Sequence, residues 1–188
     1  MTGIERSGIN PLVIIEGVDY SGKSTLSAEV AAALDGIVIR PVPAELGSVR
    51  NIIEENCDVG ERYSFFIAAS LLTYERVQGV LIKKSPVVVD RWMLSTNKHH
   101  ELMGVNADLI LPKDQIPRSE FMFFTSVSYQ EWEKRRAERN IVGVDDHLIT
   151  EDFMSEVNDF LRSEGLVEIN TDIMSVAESV DLILERIK

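Results

Sequence analysis

Residues 11–34 contain the segment that most restricts the fold, because an apolar run, a glycine-rich turn and an alanine-rich stretch follow one another directly. The run at residues 11–16 is compact and rich in β-branched residues, which is typical of a strand buried on both faces of a sheet. Apolar residues recur at every fourth position within residues 24–34, and this spacing predicts an amphipathic helix. The sequence therefore predicts a buried strand that leads through a tight turn into a helix.

Apolar runs and helical stretches alternate along the rest of the chain. Three further runs resemble the first and predict buried strands, and a fourth predicts the last strand: residues 37–40, 86–90, 120–124 and 166–169. Helical periodicity fills the intervals: residues 44–57, 60–84, a stretch after 90, residues 128–139, a stretch from 151, and residues 176–187. Strands separated by whole helices require right-handed crossovers. The sequence thus predicts an α/β fold with a five-stranded, mostly parallel sheet and helices on both faces.

Size and composition suit one globular domain. The chain has 188 residues, of which 45% are apolar, and neither a repeat nor a linker interrupts it, so a single domain over residues 1–188 is expected. A formal net charge of -12 argues against binding to nucleic acid or to an anionic membrane. Its one cysteine, Cys57, excludes an internal disulfide, and no apolar run is long enough to span a membrane. We therefore expect a cytoplasmic protein.

The turn at residues 17–24 reads GVDYSGKS and fits the pattern G-x-x-x-x-G-K-[ST] between a strand and a helix. Its glycines allow backbone amides to surround an anion, and the following helix adds its positive N-terminal end. Lys23 is placed to reach the outer phosphates of a nucleotide, and Ser24 is placed to ligate Mg²⁺. The sequence predicts a phosphate loop with these binding residues: Gly17, Tyr20, Ser21, Gly22, Lys23, Ser24 and Thr25.

Two specific motifs resemble the thymidylate kinase family of nucleoside monophosphate kinases: residues 16–25, which include the phosphate loop, and residues 87–92, which read VVVDRW. The likeness continues at residues 63–69, 127–139 and 169–180, so it covers nearly the whole chain. It implies a phosphate-loop (P-loop) kinase fold that transfers the γ-phosphoryl group of ATP to an acceptor phosphate. Such a reaction depends on positioning and charge neutralisation, because the acceptor is already an anion.

The Asp-Arg pair at residues 90 and 91 ends a predicted strand. The resemblance implies that Asp90 helps Ser24 to hold the metal and its waters, and that Arg91 binds the acceptor phosphate. Ligands of parallel sheets bind at the carboxyl ends of the strands, where this pair falls. The alternative is a purely structural ion pair between the two residues. Lys23, Asp19, Asp90 and Arg91 are accordingly predicted to be catalytic.

Three arginines end the helix predicted at residues 128–139: Arg135, Arg136 and Arg139. The first and last share one helix face and are expected to close over the phosphates of ATP. In the family, one class of members carries a catalytic arginine in the phosphate loop and another carries it on a lid. Because this loop has Tyr20 at the variable position, a lid at about residues 136–150 is expected to supply Arg136 or Arg139. The alternative is a solvated face on which Glu131 pairs with the first arginine.

The acceptor side departs from the family. Val42 and Ser70 stand where members carry arginines, and His99 stands near the place of an aromatic residue that flanks the deoxyribose. Phe66 is still expected to stack on a base. The resemblance therefore gives a mixed set of predicted acceptor-binding residues: Phe66, Ser70, Arg91, Ser95 and His99. Three nearby arginines offer compensation for the lost cations: Arg40, Arg50 and Arg76.

Three functions remain open on the sequence alone. The first is a kinase for dTMP or a related deoxypyrimidine monophosphate, for which the resemblance also suggests a homodimer. The second is a kinase for a neutral acceptor such as a deoxynucleoside, which needs a carboxylate base from Asp19, Glu45 or Asp90. The third is a nucleotide-dependent switch, although the sequence has no N-K-x-D element of the kind that selects guanine.

Overall fold

Five strands form one sheet in the computed structural model, which describes residues 10–139, 143 and 145–188 and, at Val80, the backbone alone. The strands are β1 (Leu12–Gly17), β2 (Ile37–Ile39), β3 (Val87–Asp90), β4 (Phe121–Ser126) and β5 (Val167–Asn170). Their order across the sheet is β2-β3-β1-β4-β5, and each neighbouring pair is parallel. The predicted five-stranded parallel sheet is confirmed.

Seven α-helices cover the sheet within the described residues. They are α1 (Lys23–Ala33), α2 (Gly47–Asn56), α3 (Val59–Arg76), α4 (Met93–Leu102), α5 (Tyr129–Glu138), α6 (Glu151–Ser163) and α7 (Val176–Ile187). Short 3-10 helices lie at Ala44–Leu46, Ala107–Leu109, Lys113–Gln115 and Asp146–Leu148. A π-helix at Val77–Leu81 continues α3. In this part of the chain no helix combines the length and the apolar character that a bilayer crossing requires.

Side-chain caps explain where several helices begin. Asp58 accepts a hydrogen bond from the backbone of Glu61 at 2.9 Å, and Glu61 accepts one from the backbone of Asp58 at 3.0 Å, which forms a capping box before α3. Ser128 caps α5 by accepting from the backbone of Glu131 at 3.4 Å, which agrees with the helix predicted from residue 128. Thr150 caps α6 in the same way at 3.2 Å. These contacts satisfy amides that have no partner within the helix.

Both faces of the sheet are buried beneath helices. Successive side chains of β1 point to opposite faces, so they enter two separate cores. Ile14 packs with α3, α4 and α6 in the larger core, which also contains Trp92 and Trp132. Val13 and Ile15 pack with α1 and α7 in the second core. Full burial of such an aliphatic side chain contributes about 1.5–3 kcal/mol. β1 is therefore anchored from both sides, and this fixes the position of the loop that follows it.

β2 differs from the prediction of a buried strand. It lies at the edge of the sheet beside β3, and Val38 is 38% exposed. The prediction was wrong because the burial of a short apolar run depends on how many elements flank it. Local sequence does not contain that information.

Candidate active site

The predicted phosphate loop follows β1 at the carboxyl edge of the sheet. Gly17 has φ +132° and Gly22 has φ +98°, which are conformations that residues with a side chain rarely adopt. A Cβ at Gly17 would also lie 2.5 Å from Thr125 O. Gly22 directly precedes α1, so the loop opens onto the positive N-terminal end of that helix, where anions bind.

Side chains from neighbouring segments brace the loop. Ser21 Oγ donates to Val18 O at 2.7 Å and lies 2.6 Å from Thr125 Oγ1 of β4. Thr171 Oγ1, which follows β5, donates to Ser21 O at 3.1 Å. Thr25 lies exposed in the first turn of α1. The loop is thus held from the side of β4 and β5.

Lys23 lies inside the loop and is 5% exposed. Its Nζ donates to Val18 O and lies 3.8 Å from Asp19 Oδ1. Burial, together with the charge of Arg91, lowers the pKa of Lys23 to about 8, although the Asp19 charge opposes this shift. The cation that the motif assigns to the outer phosphates therefore titrates closer to neutral pH than an ordinary lysine does.

Ser24 and Asp90 meet across the ends of β1 and β3. Ser24 Oγ donates to Asp90 Oδ2 at 2.7 Å, and Asp90 is 6% exposed. Parallel pairing places Ile15 opposite Asp90, which brings the acid beside the start of the loop. A hydroxyl and a carboxylate are oxygen ligands of the kind that Mg²⁺ takes together with phosphate oxygens and water. The pair fits the predicted metal site in its chemistry.

Arg91 pairs with Asp19 and not with its sequence neighbour Asp90. Arg91 Nη2 donates to Asp19 Oδ1, and the Asp19 side chain remains 64% exposed. Arg91 has φ 74°, a left-handed conformation that turns the chain sharply after β3. Partial removal from water alone would raise the pKa of Asp19, but the charges of Arg91 and Lys23 outweigh that effect and hold it well below its ordinary value.

Glu16 is a site residue that sequence reasoning missed. It is fully buried at the end of β1 and accepts hydrogen bonds from the backbone of Trp92 at 3.0 Å and of Leu94 at 2.9 Å. Ser95 also donates its hydroxyl to Glu16 and is itself fully buried. The available signal was an acid at the end of an apolar strand, since a buried carboxylate requires partners. A contact of Ser95 with the acceptor stays a prediction, because its hydroxyl serves the start of α4.

The residues predicted to bind the acceptor lie mainly on α3 and α4. Phe66 is half-buried on α3, and its ring centroid lies 6.0 Å from that of His100. The guanidinium of Arg50 lies over the Phe66 ring, with its Cζ 5.6 Å from the centroid. Ser70 is 1% exposed and donates to Phe66 O at 2.7 Å. The hydroxyl of Ser70 is therefore occupied by its own helix, whereas the Phe66 ring is partly open.

His99 lies buried on α4, and its Nε2 has no hydrogen-bond partner among the described residues. Its ring meets that of Phe153 of α6 edge-on at 5.2 Å. Burial and the charge of Arg91 lower the pKa of His99 well below its ordinary value, although the Asp19 charge opposes them. The imidazole is therefore neutral at neutral pH and within electrostatic reach of the Asp19–Arg91 pair.

Two of the three arginines predicted as compensation reach this region. Arg40 Nε lies 3.4 Å from Asp90 Oδ2, since β2 and β3 end side by side. Arg50 reaches Phe66 from α2. Arg76 is exposed at the end of α3. Nothing in the sequence favours any one of these three arginines as a ligand of the acceptor. Strand pairing and helix packing determine which of them reach this region.

Arg135 contacts both α5 and the segment after β5. Its Nε donates to Glu131 at 3.0 Å, as the solvated-face alternative predicted, and it also donates to Thr171 Oγ1 at 2.9 Å. An open cavity of about 620 Å³ lies here and is lined by Ser128, Gln130, Glu131, Lys134, Arg135, Thr171 and Asp172. A Cβ at Gly22 would lie 3.5 Å from Thr171, so the cavity adjoins the phosphate loop.

Arg136 and Arg139 lie against aromatic rings beside the phosphate loop. Arg136 Cζ lies 5.1 Å from the ring centroid of Trp132, and Arg139 Cζ lies 5.9 Å from that of Tyr20. The two rings pack edge-on with their centroids 6.0 Å apart. Both predicted lid arginines are thus gathered on the same side of the sheet as the loop.

Two contacts fix the described part of the predicted lid. The Tyr20 hydroxyl donates to Asp146 Oδ2 at 2.9 Å, and Arg62 Nη2 donates to Asp145 Oδ1 at 2.7 Å. Neither Arg62 nor its partner was predicted, because a helical arginine is usually exposed. Residues 140–142 and 144 of the predicted flap lie outside the described residues.

The assembled parts define a class of protein. A parallel α/β sheet carries at the end of its first strand a glycine-built loop with a buried lysine, and a hydroxyl-carboxylate pair and several arginines surround that loop. Groups of this kind bind phosphates and neutralise their charge without any strong base. The fold and the site are those of a P-loop phosphotransferase that uses a nucleotide.

The thymidylate kinase family model matches residues 15–187, so the chain belongs to the thymidylate kinase family. A probable thymidylate kinase of Methanococcus aeolicus is 24% identical over 181 residues, which cover 90% of this chain and 92% of that protein. A probable thymidylate kinase of Methanocaldococcus jannaschii is 24% identical over 177 residues, with 90% and 91% covered.

Solved structures share the fold over nearly the whole chain. Thymidylate kinase from Candida albicans superposes with a TM-score of 0.72 at 18% identity and covers 95% of this chain and 91% of its own. Deoxyadenosine kinase from M. mycoides superposes with a TM-score of 0.70 at 16% identity, with 94% and 98% covered. The predicted P-loop kinase fold is confirmed by these similarities.

Proposed function

We propose that this chain transfers the γ-phosphoryl group of ATP to the phosphate of a deoxynucleoside monophosphate, with dTMP as the first candidate acceptor. One arrangement carries the proposal: the buried Lys23, the Ser24–Asp90 pair and the Arg91–Asp19 pair lie together where β1 and β3 end. Membership of the thymidylate kinase family supports the same reaction.

ATP is expected to lie along the phosphate loop. Backbone amides before α1 bind its β- and γ-phosphates, and Lys23 neutralises their outer charge. Ser24 and Asp90 would hold Mg²⁺, which supplies further charge neutralisation when it is bound. The cavity beside Arg135 and Thr171 takes the adenine, since it adjoins the loop and is open to solvent.

Transfer requires an oxygen of the acceptor phosphate to attack the γ-phosphorus while the bond from that phosphorus to the β–γ bridging oxygen breaks and ADP leaves. The attacking oxygen is already anionic, so no general base is needed. Arg91 binds the acceptor phosphate, and Arg136 or Arg139 stabilises the charge that spreads over the transferring group. Phe66 stacks on the base of the acceptor.

A kinase for a neutral deoxynucleoside is the second candidate, because Val42 and Ser70 replace arginines and deoxyadenosine kinase shares the fold. Such an enzyme needs a carboxylate that takes the proton of the acceptor hydroxyl. Asp19 is a weak base for this task, because Arg91 and Lys23 hold its pKa well below its ordinary value. This electrostatic setting favours the monophosphate acceptor.

A panel of nucleosides and nucleoside monophosphates, each incubated with ATP and Mg²⁺, tests the proposal. We expect ADP and one deoxynucleoside diphosphate to form in equal amounts, as measured by anion-exchange chromatography. Thermal shift with a non-hydrolysable ATP analogue ranks the acceptors by binding. Phosphorylation of nucleosides alone would favour the second candidate, and ATP hydrolysis without transfer would refute both.

The proposal extends to a cytoplasmic homodimer, as the family resemblance suggests. Ile52 on α2 and Leu72 on α3 are 60% and 67% exposed, which supports a contact through the helices beside the sheet. Sedimentation equilibrium checks this point, and a species of monomer mass at every concentration would contradict it.

A further inference from the structure

Two consecutive aspartates of the predicted lid contact opposite walls of the site. Asp145 Oδ1 accepts a hydrogen bond from Arg62 Nη2 of α3 at 2.7 Å. Asp146 Oδ2 accepts one from the Tyr20 hydroxyl of the phosphate loop at 2.9 Å. One short segment therefore joins the wall predicted to bind the acceptor to the wall predicted to bind ATP.

Arg62 is an effective anchor because it is buried. The residue is 7% exposed, and its Nη1 donates to Cys57 O at 3.0 Å. Removal of Asp145 would leave a buried cation without its counter-charge, which costs far more than the loss of an exposed ion pair. The contact between Arg62 and Asp145 therefore holds the segment against the protein interior.

Tyr20 anchors the same segment at the phosphate loop. Its ring packs edge-on to Trp132, whose Nε1 donates to Asp19 O at 2.9 Å. Burial and the hydrogen bond to Asp146 raise the pKa of Tyr20 to about 12, so the hydroxyl keeps its proton at neutral pH. Tyr20 is thus a stable donor held in place by its own aromatic contacts.

Both predicted lid arginines touch this anchored unit. Arg136 Nη1 donates to Asp146 O at 3.4 Å. The guanidinium of Arg139 lies over the Tyr20 ring, with its Cζ 5.9 Å from the centroid. Arginine side chains have many rotamers, so a contact at the guanidinium restricts where its charge lies. A displacement of Tyr20 or Asp146 would therefore move both charges.

We propose that Tyr20 and Arg62 are positioning residues for phosphoryl transfer. Their side chains seat the two aspartates so that the lid arginines face the transferring group, and these side chains act without touching the substrates. The inference rests on the proposed function and explains what a tyrosine does at the loop position where one class of the family has an arginine. Here the charge comes from the lid, and the loop residue holds the lid in place.

A double-mutant cycle tests the Tyr20 contact. Tyr20→Phe keeps the ring and removes the hydroxyl, and Asp146→Ala removes its acceptor. We expect each variant to lower kcat about tenfold, the scale of one hydrogen bond to a charged group. The KM for ATP should change less than about twofold, because the contact serves the transition state. Asp146→Ala also removes the acceptor of the Gly143 amide, whose nitrogen lies 2.8 Å from Asp146 Oδ2, so we expect it to be the slower single variant. The double variant should be no slower than Asp146→Ala alone, since the Tyr20 contact is already lost there.

Two substitutions test the Arg62 contact. Arg62→Gln removes the charge and is expected to lower kcat about tenfold, whereas Arg62→Lys keeps the charge and should restore part of that loss. Arg162→Gln is the matched control, because Arg162 forms an exposed pair with Glu168 at 2.7 Å. The control should leave kcat unchanged.

Hydrogen exchange gives a readout that needs no turnover. The amides of Asp146 and Leu148 donate to Gly143 O and Asp145 O, and they report on the seating of the segment. Faster exchange in Tyr20→Phe and Arg62→Gln, together with lowered kcat, would support the proposal. Unchanged kcat in both variants would overturn it, because the contacts would then be structural only. Unchanged hydrogen exchange in both variants would overturn the claim that Tyr20 and Arg62 hold the segment in place. A parent protein that transfers no phosphoryl group would instead refute the proposed function.

Discussion

The ATP side and the acceptor side of the site are built from different chemical groups. The ATP side depends on backbone, because Gly17 and Gly22 shape a loop that opens onto the N-terminus of α1. The acceptor side depends on side chains from α3 and α4, among them Phe66 and His99. Side chains can be exchanged one at a time without a change of fold, whereas the loop geometry restricts its residues. This difference agrees with a loop that fits the phosphate-loop pattern and with an acceptor side that is predicted to depart from the family.

The polar side chains of the phosphate loop are paired, whereas polar atoms around it are not all paired. On the ATP side, Ser21, Lys23 and Ser24 each have a protein partner. Buried atoms without a partner in the described chain occur on both sides: Ser27 Oγ of α1 and Ser126 Oγ of β4, and Arg62 Nε, Asn97 Nδ2 and His99 Nε2 of α3 and α4. A buried polar group without a partner costs about 1–3 kcal/mol. We expect changes on the ATP side to abolish transfer, because they remove charge at the phosphates, and changes on the acceptor side to alter which molecule is phosphorylated.

The largest expected effect lies on the ATP side. Lys23→Ala removes the cation at the outer phosphates and should reduce kcat/KM by at least about 10²–10³-fold. Lys113→Ala is the control, because Lys113 is an exposed lysine paired with Glu164. Thermal unfolding verifies that both variants fold. Near-normal transfer by folded Lys23→Ala protein would contradict the assignment of this lysine to the phosphates of ATP, and with it the difference expected between the ATP side and the acceptor side.

The lid arginines give the next largest effect. Arg136→Ala and Arg139→Ala should lower kcat more than they weaken ATP binding, with at least one variant reduced about tenfold to a hundredfold. Steady-state kinetics at saturating substrates measure the change, with Arg76→Ala as an exposed control. If both lid variants match the parent, the transition-state charge comes from elsewhere.

A gain of function probes the acceptor side. Ser70→Arg introduces the residue type that the family resemblance predicts at this position and, in folded protein, should raise kcat/KM for dTMP about tenfold. Because Ser70 is 1% exposed, thermal unfolding must first verify that the variant folds. Ser64→Arg is the matched control on an exposed turn of α3, where Ser64 Oγ donates to Gly60 O at 2.9 Å. If the parent uses dTMP efficiently and Ser70→Arg gives no gain, the acceptor side does not differ in function from that of an ordinary thymidylate kinase.

The smallest effect is a dependence on pH. Because the pKa of Lys23 is lowered to about 8, its charged form is lost as pH rises through that value. The kcat/KM for ATP reports the free enzyme and should fall about twofold between pH 7 and pH 8 and more steeply above it. Lys23→Arg keeps its charge and should lose this decline. A flat profile to pH 9 in the parent would assign the phosphate charge to another group.

Local patterns were sufficient to predict the segment from β1 to α1 and the start of α5 at Ser128, because each rests on residues adjacent in sequence. Contacts between distant segments were not predictable. Glu16 meets Ser95 across 79 positions, and Arg62 meets Asp145 across 83. Such contacts depend on the order of the strands and the docking of helices. Sequence reasoning therefore identified the residue types of the site better than their partners.

β1 occupies the centre of the sheet although it precedes the other strands in sequence. Val13 pairs with Val88 on one side and with Phe121 on the other. At about 5–20 residues per second, on the order of ten seconds separate the synthesis of β1 from that of β4. Until β4 emerges, Thr125 is absent from its contact with Ser21, and one edge of the largely apolar strand β1 is unpaired. The phosphate loop therefore gains its contact with Thr125 only in those nascent chains in which β4 has already been made.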